Sequence, residues 1–234
     1  MGQIIVAIDG PSGAGKGTVA RDVARLLGYH HLDTGAMYRA IGWQALATGT
    51  PLTDEQAVRE IAEHARLTAT DGVVTIDGKD ISRAIRTPDI DRAATMVARL
   101  PRVREVLVER QRREAERGGF IVEGRDIGTV VFPHADVKVY LDATPEERAR
   151  RRAADPAHSG HAGAGLDDVA QAIVARDEQD RTREASPLFK APDAVPIDTT
   201  GRAIEDVVGE VLEIVRKRLD GTGEKAGLKA GTTN

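Results

Sequence analysis

The sequence predicts an α/β protein with a mainly parallel five-stranded sheet whose strands alternate with helices. Three observations predict it. The apolar run Ile4-Ile5-Val6-Ala7-Ile8 is followed by a glycine-rich loop and then a helical pattern. Short apolar runs recur at about 29–33, 120–124, 137–141 and 194–198, each separated by helical stretches. Helix-start signals, Thr53-Asp54-Glu55-Gln56 and Thr144-Pro145-Glu146-Glu147, fall where the pattern changes.

Residues 3–8 read as a buried parallel strand, continuous and β-branched. A helix follows from Thr18 to Leu27, with Val19, Val23, Leu26 and Leu27 on one face and Gly28 as its stop. His30 and His31 lie side by side and point opposite ways on a strand, so they read as structural. A second helix is expected from about Gly35 to Thr48, and a third from the Thr53 cap to about Arg66. Residues 67–81 contain Asp71-Gly72 and Asp77-Gly78 beside Val73, Val74, Thr75 and Ile76. This is a small hairpin-rich sheet, and it reads as an insert. Helices resume near Pro88 and at Pro101, the latter charged and running to Arg117.

Phe120–Glu123 is the next core strand, and Gly124-Arg125-Asp126-Ile127-Gly128-Thr129 hangs from its C-terminal end. Ligands bind at that edge of an open parallel sheet. After the strand at 137–141, the Thr144 cap opens a helix carrying Arg148, Arg150, Arg151 and Arg152. Residues 155–165 are rich in Gly, Ala, His and Ser and read as a mobile loop. His158 and His161 lack a third ligand nearby and are not read as a metal site. A helix from Leu166 to about Glu184 carries Arg176, Asp180 and Arg183 on its polar face. A last strand at 194–197 and a last helix from Ile204 to Leu219 precede a stretch read as a disordered tail.

Composition narrows the function classes. The 234 residues include no cysteine, so disulfides and Cys-ligated metals are excluded. Aromatic residues are 3%, which argues against a carbohydrate cleft or a base-stacking platform. The net charge of −4 offers no overall basic field for nucleic acid. No apolar run is long enough to span a bilayer, no signal-like N-terminal stretch is present, and a cytoplasmic protein is expected.

The chemistry begins at Gly10-Pro11-Ser12-Gly13-Ala14-Gly15-Lys16-Gly17-Thr18. Glycines let backbone N–H groups turn toward anionic oxygens, and the following helix aims its positive end at the same point. Lys16 can then reach the terminal phosphates. The common pattern is Gly, four residues, Gly-Lys, then Ser or Thr, but here Gly17 stands where the hydroxyl belongs. Thr18 is the nearest hydroxyl and the candidate for magnesium. Arginines at 39, 125, 148–152, 176 and 183 suit a transfer between two phosphates, which needs alignment and neutralising cations rather than a covalent nucleophile.

Five stretches together resemble the bacterial cytidylate kinases: Asp9–Thr18, Leu32–Arg39, Pro101–Arg104, Gly124–Pro133 and Arg176–Arg183. The glycine at 17 is common in nucleoside monophosphate kinases. The resemblance implies a three-layer P-loop kinase fold with a core at 1–48 and 100–218, a CMP-binding insert at about 49–99 and a lid at about 150–166 that closes over both nucleotides. A tail is expected at 219–234, and the protein is expected to be a monomer. The implied reaction is transfer of the ATP γ-phosphate to CMP or dCMP with Mg²⁺. Carried over by position, Arg39, Arg125 and Arg183 grip the CMP phosphate, and Thr34, Arg176 and Asp180 hold the pentose. Thr95, Arg104 and Asp126 read the cytosine. Lys16, Arg148 and Arg152 are the candidates at the transferring phosphate, with Arg151 the alternative among the three neighbouring arginines.

The alternative within the class is another P-loop kinase, acting on AMP, UMP or a small-molecule acceptor. A GTP-dependent switch would need a guanine-reading Asn-Lys-x-Asp loop, and the only asparagine is Asn234. A nucleic-acid motor conflicts with the acidic balance.

Overall fold

The structure, a computed structural model, describes residues 3–155 and 165–230. β1 (Ile5–Asp9) enters the glycine loop, and α1 (Lys16–Leu27) leaves it two residues earlier than expected. β2 (His30–Asp33) runs directly into α2 (Thr34–Ala47). Asp33 caps that helix, its Oδ1 accepting the Ala36 N–H at 2.8 Å. α3 (Glu55–His64) is capped by Asp54 rather than by the expected Thr53, the carboxylate taking the Ala57 N–H. β3 (Leu67–Thr70), β4 (Val73–Ile76) and β5 (Lys79–Asp80) form the hairpins. Asp71 and Asp77 take the left-handed conformation there, tolerated by short polar side chains.

α4 (Pro88–Val97) and α5 (Pro101–Glu114) each begin at a proline. β6 (Phe120–Gly124) is followed by a single π-helical turn, Ile127–Val131. β7 (Val137–Asp142) leads to α6 (Pro145–Ala154), capped by Thr144 as its sequence predicts. α7 (Leu166–Thr182), β8 (Val195–Asp198) and α8 (Ile204–Ala230) complete the described chain.

The strand order is β5-β4-β3-β2-β6-β1-β7-β8. The five expected strands form the parallel block β2-β6-β1-β7-β8. The expectation of a five-stranded sheet with separate hairpins is corrected to one eight-stranded sheet. β3 pairs antiparallel with β2 through Leu32 and Thr70. Physically, β2 would otherwise present an open edge of N–H and C=O groups, and the hairpins cover it. The last helix also runs past Leu219 to Ala230, where a disordered tail was expected. An established helix extends one residue at a time, without a second nucleation step. Residues 231–234, with His158 and His161 of the expected lid, lie outside the described residues.

Apolar side chains fill both faces of the sheet and make three layers. On one face Val19 and Val23 of α1 and Val211 and Val215 of α8 pack with Ile8 and Leu141. On the other, Ile41 of α2 and Val103 and Leu107 of α5 pack with Leu32 and Val122. β1 and β6 are adjacent and parallel, so the glycine loop and the Gly124–Thr129 segment emerge at the same C-terminal edge. That edge carries the site.

Candidate active site

A cleft of about 460 Å³ opens over this edge. Its floor is the loop from Ser12 to Thr18. Gly10 and Pro11 form the loop's base. The Pro11 carbonyl accepts a hydrogen bond from Lys16 Nζ at 2.7 Å. Lys16 is buried, and burial, reinforced by the Arg125 charge, pushes its ammonium down to about 7. Arriving phosphate oxygens would restore the full charge.

The glycine at 17 has a structural reason. A Cβ there would lie 3.0 Å from Glu123 Oε1. That oxygen is held 2.9 Å from His31 Nε2, and both side chains are buried. A side chain at this position would press on Glu123, and Thr18, exposed in the first turn of α1, lines the cleft instead. The histidine pair splits as its strand position predicts. His31 turns inward to Glu123, and His30 turns outward to Asp71 at 2.8 Å.

The far wall brings together Thr34, Arg39, Thr95, Arg104, Arg125, Asp126, Arg176, Asp180 and Arg183. They come from α2, α4, α5, the β6 end and α7. Arg39 NH2 pairs with Asp33 Oδ2 at 2.8 Å. Arg104 NH2 lies 2.5 Å from Asp126 Oδ2, with its guanidinium over the Tyr38 ring. Arg183 NH2 approaches Asp126 Oδ1 at 3.4 Å. Arg125 Nε donates to Asp180 Oδ2 at 3.0 Å. Burial opposes the charge on Asp180, but Arg125, Arg176 and Arg183 hold its carboxyl below the usual range. Several buried donors of this wall make no hydrogen bond within the protein: Arg39 Nε, Arg104 NH1, Arg176 Nε and Arg183 NH2. Buried donors without acceptors are costly, and an acceptor-rich ligand in the cleft would satisfy them.

The lid-side arginines divide. Arg152 lines the cleft, donates to Ser12 Oγ at 2.9 Å and sits 3.7 Å from Asp91. Burial pushes its guanidinium down to about 10, with Asp91 working the other way. Arg148, expected at the transferring phosphate, is buried behind the loop instead. Its Nε donates to Ala143 O and its NH1 to Ser12 O, each at 3.0 Å. Arg151, which the sequence left level with Arg148 and Arg152 as a candidate, lines the cleft near Gly15 and is anchored on Thr199. Asp91 was missed as well. It sits on α4 and pairs with Arg176 at 3.2 Å, and nothing in its local sequence marks it. Asp33 lies in the Leu32–Arg39 stretch and Glu123 ends a core strand, and the sequence marked a role for neither.

A strand–glycine loop–helix at a parallel sheet edge, facing a wall of arginines, defines a P-loop phosphotransferase fold and site. A solved protein from Eubacterium ventriosum ATCC 27560, described as uncharacterized, shares the fold at a TM-score of 0.52 and 10% identity, covering 90% of this chain and 97% of that one. The family is sharper than the fold. The cytidylate kinase family model matches residues 6–217. A cytidylate kinase of Desulfitobacterium hafniense (strain Y51) is 44% identical over 92% of this chain and 94% of its own length. One of Geobacillus kaustophilus (strain HTA426) is 45% identical over 93% and 98%. A bifunctional pantoate ligase/cytidylate kinase of Synechococcus sp. (strain WH7803) is 48% identical over 92% of this chain but 45% of its own. The chain belongs to the cytidylate kinase family.

Proposed function

We propose that the protein transfers the γ-phosphate of ATP to CMP or dCMP, giving ADP and CDP or dCDP. The observation that carries the reading is the far wall, where Asp126 and Arg104 stand together between Tyr38 and Arg183. Cytosine offers an amino donor beside a ring nitrogen and a carbonyl. The Asp126 carboxylate accepts from the amino group. The spare Arg104 NH1 donates to the ring nitrogen or carbonyl, and Thr95 adds a hydroxyl at the same wall. Arg39, Arg125 and Arg183 grip the CMP phosphate, and Thr34, Arg176 and Asp180 hold the pentose.

The triphosphate lies on residues 10–18, with backbone N–H groups and Lys16 around its terminal phosphates. An oxygen of the CMP phosphate forms the new bond to the γ-phosphorus as the bond to the β-bridging oxygen breaks, and ADP leaves with that electron pair. The protein aligns the two nucleotides in line and neutralises charge spreading over the moving group. Lys16, Arg151 and Arg152 are the cations placed to do so; Arg148 is withdrawn from that role.

Among the described residues no three acidic or histidine side chains converge on a metal position. A magnesium ion would be carried by the phosphates and water, with the Thr18 hydroxyl as its protein contact. The ion supplies charge neutralisation when bound. The test is product analysis: ATP, Mg²⁺ and CMP should yield CDP and ADP in equal amounts. Hydrolysis of ATP without CDP would contradict the reading.

A further inference from the structure

We propose that Asp177 and Arg148 form a positioning pair that couples the triphosphate site to the CMP site, an inference that rests on the function proposed above. Asp177 is fully buried, at 0% exposure, and Arg148 is at 4%. Neither side chain lines the cleft. Asp177 Oδ1 accepts the Ser12 N–H at 3.1 Å, while Oδ2 pairs with Arg148 NH1. The same Arg148 NH1 donates to the Ser12 carbonyl. Both backbone groups of one loop residue are thus held by two side chains from two other elements, α6 and α7.

The next residue leaves no slack. Gly13 has φ of +81°, and a Cβ on it would lie 2.9 Å from Arg148 Cβ and 3.0 Å from Arg148 O. The backbone of α6 therefore rests directly on the loop backbone. A buried ion pair is a poor source of stability, because desolvation offsets much of its attraction. What this pair supplies is register between the loop and the α6–α7 pair.

α7 carries the register onward. Asp177 follows Arg176 and precedes Asp180 by three residues. At about 100° per residue, Arg176, Asp180 and Arg183 share an arc of roughly 60°, with Asp177 roughly 60° beyond it. The same rigid helix thus faces CMP with one strip and the phosphate loop with the next. Any shift of Ser12 as the loop closes on a triphosphate moves Asp177, and with it the CMP strip. Coupling of this kind is reciprocal between the two ligands.

The experiment is calorimetric titration of CMP with and without saturating β,γ-imido-ATP and Mg²⁺. For the wild type, CMP binding should tighten on the order of tenfold when the analogue is present. Asp177→Asn keeps the shape and an acceptor for Ser12 but loses the charge facing Arg148. It should bind CMP alone as the wild type does, yet show a ratio near one. Arg148→Lys keeps the charge but loses the fork that spans Ser12, Ala143 and Asp177; its ratio should fall too. Thermal melts establish which variants fold, and either variant alone decides the matter. A wild type that binds both nucleotides with a ratio of one overturns the coupling and leaves the function standing. So does a folded Asp177→Asn or Arg148→Lys with the wild-type ratio. A wild type that binds neither nucleotide overturns the function and the coupling together.

Discussion

Replacing Gly17 with alanine sets two effects of opposite sign against each other, and the structure decides between them. Gly17 is the second residue of α1. In an unobstructed helix, Gly→Ala would stabilise the fold by about 0.5–1 kcal/mol. Here the new methyl would sit 3.0 Å from Glu123 Oε1, tighter than ordinary contact. Glu123 cannot simply move, because the same oxygen is bonded to buried His31 at 2.9 Å. Breaking that charge-assisted bond costs about 1.5–3 kcal/mol. The net expectation is a loss of about 0.5–2.5 kcal/mol. Urea unfolding should show this as a lower midpoint at unchanged slope. The sign should reverse in a Glu123→Ala background, where the carboxylate that crowds the methyl is gone and Gly17→Ala should stabilise by up to about 1 kcal/mol. A Gly17→Ala protein more stable than the wild type, with Glu123 intact, would refute the packing argument.

Other outcomes follow from the same geometry. Lys16→Ala should lower kcat on the order of a hundred- to a thousand-fold with native circular dichroism retained; near-normal turnover would remove Lys16 from the phosphate site. Lys16 titrates at about 7 in the free protein, so above that pH the empty site holds mostly neutral amine, and phosphates draw a proton back onto it. ATP binding at about pH 8 should therefore take up close to one proton, and at about pH 6 almost none, read by calorimetry in buffers of different ionisation heat. Equal uptake at both would contradict the buried, depressed ammonium. Asp126→Asn should weaken CMP kcat/KM by roughly ten- to a hundred-fold, the value of one charged hydrogen bond, while UMP, which has no amino donor, should lose less. Equal losses would mean Asp126 does not read the base.

Local features were legible in the sequence, and long-range packing was not. The glycine loop, the five parallel strands and the Thr144 cap each rest on a few consecutive residues. The hairpins at 67–80 were also legible, but their attachment to β2 depends on distant pairs, Leu32 with Thr70 and the two histidines with Asp71. Arg148, Arg151 and Arg152 are equivalent in sequence. Which of them faces the cleft depends on how α6 is rotated, and that rotation is set by Asp177, Ser12 and Thr199 from elsewhere in the chain. Glu123 reads as the end of a core strand until the fold sets it against Gly17 and His31. The phosphate-facing arginines of the far wall, 39, 125, 176 and 183, were legible from their pattern, but Thr95 and Arg104 were legible only through resemblance, because they come from separate helices that only the fold brings together.

The central claim is that this wall selects cytosine monophosphates as acceptors. Initial rates with ATP and Mg²⁺ across CMP, dCMP, UMP, AMP and a non-nucleotide alcohol test it directly. CMP or dCMP should give the highest kcat/KM, with AMP and the alcohol far below. A clear preference for AMP, or for the alcohol, would contradict it.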